Sequence, residues 1–218
     1  MNESLRVSRL HWPVTTLGPG RRLGLWLQGC SIGCKGCVSL DTWAPDQGTL
    51  LPVKAVIELL DRLLVTEALS GITITGGEPF DQPEPLLNLL EQIVYWRNSR
   101  SLYFDIFCYS GYPFKRLHRK HGDALALVDL LCAGPFVESR GAGGPWQGSA
   151  NQSLFAMGER GEAMLSQLSK QAAVPRLQLA VRGGRIWIVG IPAPGDMEKL
   201  NERSRESGLN LVEASWIA

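Results

Sequence analysis

Between residues 22 and 134, short aliphatic and β-branched runs alternate with stretches of helical period. Residues 22–29 (RLGLWLQG) read as a first strand, and 71–75 (GITIT) as a short buried one. Residues 101–110 (SLYFDIFCYS) and 126–134 (ALVDLLCAG) read as two more. Between them, Val53, Val56, Ile57, Leu60, Leu63 and Leu64 recur at helical spacing, with Pro52 suited to a first helical position. Residues 81–99 read as a second helix, opened by a capping-box-like pair, Asp81 and Glu84. Residues 111–122 read as a short helix stopped by Gly122. Strands alternating with helices predict an α/β fold with a parallel sheet and crossover helices, either an open sheet or an incomplete barrel.

In such folds the chemistry gathers at the C-terminal ends of the strands. Three distinctive stretches fall there: GCSIGCKGC at 29–37, TGGEP at 75–79 and CYSGY at 108–112. They are predicted to face one pocket.

Composition excludes several classes. The chain has 218 residues, 44% of them apolar and 20% charged, with a formal net charge of +1. No basic stripe suggests nucleic acid or a membrane surface. No run of about 18 apolar residues predicts a membrane span, and residues 1–13 lack the apolar segment of a signal peptide. The expectation is a cytoplasmic protein with reduced thiols. Clustered cysteines there more often bind metal or do redox chemistry than staple a fold.

Three of the five cysteines sit at Cys30, Cys34 and Cys37. A structural zinc would need four ligands, and no histidine is near in sequence. Three thiolates can hold an iron–sulfur cluster with one iron left open. Zinc, a redox pair or an incidental group of buried thiols are the alternatives. Cys108 and Cys132 fall in predicted strands and read as packing residues.

The spacing CSIGCKGC resembles the CxxxCxxC signature of the radical S-adenosylmethionine (SAM) superfamily. Further along, ITITGGEPFDQP, FDIFCYSGY, AGPFVESR and WQGSANQ follow in the order seen in the anaerobic ribonucleoside-triphosphate reductase-activating protein family, one of the glycyl-radical-enzyme activase groups. The resemblance spans roughly residues 10–155. It implies an incomplete (β/α)6-type radical SAM partial barrel with a C-terminal hairpin–helix extension. The core would occupy 1–158 and the extension, packed on it, 159–218.

The resemblance also implies the chemistry. Cys30, Cys34 and Cys37 would ligate a [4Fe-4S] cluster whose open iron is chelated by SAM. Reductive cleavage of SAM would give a 5′-deoxyadenosyl radical that takes hydrogen from a glycine of a partner enzyme. Gly76, Gly77 and Glu78 would meet the methionine end of SAM, and Gly36, Cys37 and Val38 would lie near its adenine. The partners implied are a glycyl-radical enzyme and an electron donor such as flavodoxin or ferredoxin. Tyr109, Ser110 and Tyr112 could line the pocket, and Trp146, Asn151 and Gln152 could close a loop or touch substrate.

The chain departs from the family pattern in places. Ala133 stands where Asp is usual, and GGEP where GGDP is frequent. Residues 141–175 read as irregular, 176–191 as a hairpin turning on Gly183–Gly184, 194–208 as a helix capped by Asp196 and ended by Gly208, and 209–217 as a final strand. The extension is expected to contact a partner or cap the pocket. Two other functions stay open on the residues alone: a radical SAM enzyme acting on a small molecule, and a catalytically silent iron–sulfur interaction protein.

Overall fold

The computed structural model describes residues 3–170, 176–182 and 185–209. Seven strands form one mixed sheet in the order β3-β1-β2-β4-β5-β6-β7. Its centre is parallel: β2 (Arg22–Leu27), β4 (Gly71–Gly76), β5 (Asp105–Ser110) and β6 (Leu130–Ala133). Its margins are antiparallel. On one side β1 (Ser4–Val14) pairs with β2 and with β3 (Thr49–Pro52); on the other β7 (Ser153–Ala156) pairs with β6. The antiparallel margins escape the strand-and-helix alternation. β1 carries polar residues between apolar ones, and β3 and β7 are four residues each.

The crossovers are helical. α1 (Val53–Thr66) leads into β4, α2 (Pro83–Ser99) joins β4 to β5, and α3 (Phe114–Lys120) with α4 (Gly122–Leu125) joins β5 to β6. One face of the sheet points Leu23, Leu25, Leu27, Ile72, Ile74, Ile106 and Leu131 at these helices, where Val56, Leu60, Leu86 and Leu90 meet them. Each such fully buried aliphatic side chain contributes roughly 1.5–3 kcal/mol.

The other face is also covered. There Phe107, Leu130 and Cys132 pack with Trp146 and with Met164 of α5 (Glu159–Lys170). Nearby, Val14, Leu17 and Trp26 pack with Val189. Val189 lies in a separate two-stranded sheet, β8 (Leu177–Arg182) paired with β9 (Arg185–Gly190). Gln178 fastens that hairpin to the core. Its side chain donates to the Pro13 carbonyl at 2.6 Å and accepts the Thr15 N–H at 2.9 Å. α6 (Asp196–Glu206) follows.

At the N-terminal ends of the parallel strands two buried ion pairs close the sheet. Arg22 meets Asp105 at 2.5 Å and Arg97 meets Asp129 at 2.5 Å. Arg22 also donates to Thr73 Oγ1 and to the Ile72 carbonyl, both at 2.7 Å. Such a network is tolerable in a core because nearly every charged hydrogen has an acceptor.

Several local expectations are corrected. Pro52 caps α1 rather than starting it, so the helix begins at Val53. Gln82, not Asp81, precedes α2, and Pro83 takes the first helical position. Gly122 does not stop a helix; α3 ends at Lys120 with His121 as its cap, and Gly122 opens α4. Asp196 is inside α6, where its carboxylate accepts the Ala193 N–H at 2.8 Å, and Gly195 takes the cap. Residues 141–175 are not wholly irregular, since β7 and α5 lie within them. The hairpin turn at Gly183–Gly184 and the strand expected over 209–217 lie outside the described residues, apart from Leu209.

Candidate active site

The loops that leave β2, β4, β5 and β6 meet at the C-terminal ends of the strands. The cysteine loop leaves β2 at Gln28 and Gly29. Its base is tied back by Gly29 N–H to the Thr42 carbonyl at 2.7 Å and Cys30 N–H to the Trp43 carbonyl at 3.1 Å. Within it, Cys37 N–H donates to the Cys34 carbonyl at 3.1 Å, and Ser39 N–H reaches Cys37 Sγ at 3.4 Å.

Gly76 and Gly77 press against this base. Gly77 N–H donates to the Leu27 carbonyl and Glu78 N–H to the Gly29 carbonyl, each at 2.8 Å. Gly76 has φ of +106° and its missing Cβ would stand 2.5 Å from Leu27 N; at Gly77 a Cβ would stand 2.1 Å from the Gly29 carbonyl oxygen. No side chain fits either place. The two glycines are thus demanded by the fit of strand against loop, before any ligand is considered.

The Glu78 carboxylate turns inward. The residue is 1% exposed. It accepts from Phe80 N–H at 3.0 Å, Ser110 Oγ at 2.8 Å and Gly111 N–H at 2.8 Å, so it laces the ends of β4 and β5 together. Burial pushes its pKa up to about 7, against the pull of those three donors.

Asp81 was expected to cap a helix. Instead it braces the cysteine loop. Its carboxylate accepts the Ser31 N–H at 2.7 Å and the Tyr112 hydroxyl at 2.6 Å, and Tyr112 and Ser31 hydroxyls stand 2.8 Å apart. Arg116 lies over the Tyr112 ring at 3.7 Å. Nothing in the sequence pattern separates this brace from a helix cap, because the partner Ser31 is 50 residues away.

The three thiols of the loop are free and half-buried. Cys34 feels both Cys30 and Cys37 electrostatically, so the loop brings the trio into one another's field. Burial raises the pKa of Cys30 and of Cys34. Backbone N–H groups oppose it, from Gly33 and Ile32 at Cys30 and from Phe136 at Cys34. Among the described residues, no three Cys, His, Asp or Glu side chains converge closely enough to hold a single metal ion. Three spread thiols faced by amides suit a bulkier group, since amide donors to cluster sulfurs are a usual feature of iron–sulfur ligation.

Phe136 belongs to the loop after β6, inside the AGPFVESR stretch, though no role was expected of Phe136 itself. Gly134 N–H bonds back to the Ser110 carbonyl at 3.0 Å. The stretch Trp146–Gln152 supports this loop from outside. Gln152 Nε2 donates to the Gly134 carbonyl and Asn151 Nδ2 to the Pro135 carbonyl, both at 2.8 Å. Trp146 points elsewhere, onto Phe107. Gly36 is exposed with φ of +79°, and the Glu138 carboxylate stands about 3.2 Å from where its Cβ would be. Val38 is half-buried just past the third cysteine. Tyr109 faces the packed side of the sheet rather than this site. A cleft of about 440 Å³ opens beside Cys30, Ser31, Trp43 and Asp81.

A protein-family profile described as a 4Fe-4S single cluster domain matches residues 16–155, which contain all of these loops. The anaerobic ribonucleoside-triphosphate reductase-activating protein of Enterobacteria phage T4 is 33% identical over 141 residues, covering 64% of this chain and 86% of that protein. The chain belongs to the anaerobic ribonucleoside-triphosphate reductase-activating protein family. Other members of the family show the same partial coverage. Those of Vibrio cholerae and Escherichia coli K12 are each 28% identical, over 65% of this chain and 92% and 93% of their own lengths. The profile match therefore takes in the parallel strands and their loops but not β1, and this chain continues beyond it.

Proposed function

We propose that this chain is a radical SAM enzyme that activates an anaerobic ribonucleoside-triphosphate reductase by installing a glycyl radical on it. The observation that carries the proposal is the three-thiol loop clamped against Gly76–Glu78 at the strand ends. Cys30, Cys34 and Cys37 would hold a [4Fe-4S] cluster, which with SAM would supply the one-electron, hydrogen-abstracting chemistry this function needs.

The chain's own residues do the rest. Cys30, Cys34 and Cys37 are the cluster ligands in this reading. Amides of Ile32, Gly33 and Phe136 aim at Cys30 and Cys34 and favour their anionic form. Asp81 and Tyr112 hold the loop's entry, which keeps the ligand trio in place as charge changes. The main chain of Gly76, Gly77 and Glu78 is the part available to the methionine end of SAM, because the Glu78 carboxylate is already committed to Ser110, Gly111 and Phe80. Gly36, Cys37 and Val38 flank the adenine side, where the positive φ of Gly36 turns the chain and the Glu138 carboxylate packs against it. Gly36 and Val38, like Gly76–Glu78, position the cofactor through backbone rather than through reactive side chains.

The architecture supports a partial-barrel reading: four parallel strands, crossover helices on one face, chemistry at one end. In it, residues 1–158 carry the site and 159–218 form an extension. A low-potential carrier of the flavodoxin or ferredoxin class would supply the electron.

The test is anaerobic reconstitution with iron and sulfide, followed by reduction in the presence of SAM. 5′-Deoxyadenosine should form, and Cys34→Ala should lose both cluster absorbance and product. Added anaerobic reductase should then show an organic radical by electron paramagnetic resonance. An intact cluster that cleaves no SAM would refute the enzyme, and cleavage without a reductase radical would refute the partner.

A further inference from the structure

A second cavity, of about 130 Å³, lies on the sheet face opposite the helices. Its walls come from two parts of the chain. Thr16 and Gly143–Trp146 fall within residues 16–155, the region matched by the family; Arg176 and Ile191 fall beyond it. The Arg176 guanidinium bridges them. Its Nε donates to the Ile191 carbonyl at 3.2 Å and its Nη1 to the Gly143 carbonyl at 3.4 Å.

Two donors at this cavity have no acceptor among the described residues. Arg176 Nη2 is buried and unpaired, and so is the indole N–H of Trp146, a residue 3% exposed. A buried donor without a partner is costly to a fold, so two at one cavity ask for an acceptor there. The charge has one sign. Among the described residues, no acidic side chain lines the cavity and Arg176 has no ion-pair partner. Trp146 is also held at φ of +61°, a left-handed conformation rare outside glycine. Such strain collects at ligand clamps.

We propose that this cavity binds a small oxyanion, a carboxylate or phosphate group, between Arg176 and the Trp146 indole. Its volume is below the roughly 300–1,000 Å³ of pockets for drug-sized ligands, so a group of a few heavy atoms is what it takes. A planar guanidinium with a free N–H is suited to oxygen anions of this kind. A bound anion would join the hairpin of the extension to the family-wide sheet, and the site exists only because this chain has that extension. It does not depend on the cluster chemistry proposed above.

The test titrates the reconstituted full-length protein with inorganic phosphate and, separately, with acetate at constant ionic strength. Calorimetry and thermal melting are the readouts. At least one anion should bind saturably, and Arg176→Gln and Trp146→Phe should each weaken binding tenfold or more. Tighter phosphate binding identifies a free phosphate as the ligand; tighter acetate binding identifies a polypeptide carboxylate. Absence of saturable binding by both anions overturns the proposal, as does binding that Arg176→Gln leaves unchanged. Should Arg176→Gln fail to fold, Trp146→Phe carries the same test, because it keeps an aromatic ring on Phe107 and removes the N–H donor. Protein that binds an anion yet cleaves no SAM would refute the function proposed above and leave this site standing.

Discussion

Gly77 lies so close to Gly29 that a single added methyl group would overlap the Gly29 carbonyl oxygen. That carbonyl also accepts the Glu78 N–H, so the end of β4 and the base of the cysteine loop form one unit. Gly77→Ala must push them apart. We expect a loss of about 1–3 kcal/mol in stability, in line with other overpacked sites, together with lower iron content after reconstitution. Urea denaturation and iron analysis read the two effects.

Asp81→Ala removes the acceptor for Ser31 N–H and for the Tyr112 hydroxyl. Hydrogen bonds to a charged group contribute about 1.5–3 kcal/mol. The fold should persist, because the α2 core does not depend on Asp81. Amide exchange at Ser31 should quicken, and the reconstituted cluster should be lost faster to a chelator. Unchanged exchange at Ser31 would mean that the brace has no mechanical role.

Glu78 sets a pH dependence. Its folded pKa, about 7, is above the ordinary carboxyl value of 4.5. The native state therefore holds a proton that the unfolded chain gives up, and stability must fall as pH rises from about 4.5 through 7. The whole effect is on the order of 3 kcal/mol. Glu78→Gln should flatten this part of the stability profile, as measured by urea midpoints at several pH values.

Arg22→Met strands Asp105 in the core, next to Asp129. Removing one partner of a buried pair costs about 3–5 kcal/mol. The double variant Arg22→Met with Asp105→Leu should recover much of that loss, since no charge is then left unpaired. Equal stability of the single and double variants, compared by thermal melting, would show the pair to be unimportant.

The central architecture was legible because buried parallel strands and amphipathic helices write different periods into the sequence. Ile72 and Ile74, or Val56 and Leu60, declare their element by spacing alone. The antiparallel margins were harder. β1 reads Ser-Leu-Arg-Val-Ser-Arg, a half-exposed edge pattern that looks like any polar lead-in. At the site, clustering made Cys30, Cys34 and Cys37 plain, and the glycines of TGGEP stood out. Asp81 and Phe136 did not, because their value comes from partners far away in the chain: Ser31 for one, Cys34 for the other. Gln82 hid Asp81 further by taking the cap that the sequence assigned to its neighbour. Arg176 was invisible for the same reason, since its contacts reach back to Gly143.

The buried charges at the foot of the sheet bear on traffic. Arg22 with Asp105 and Arg97 with Asp129 shut that end, while Trp146, Met164 and Val189 fill the face away from the helices. The rim bearing the cysteines is the side left for entry and exit. A docked reductase would sit over the same doorway, so a small cofactor must come in before the large partner arrives and its spent fragments must wait for that partner to lift away.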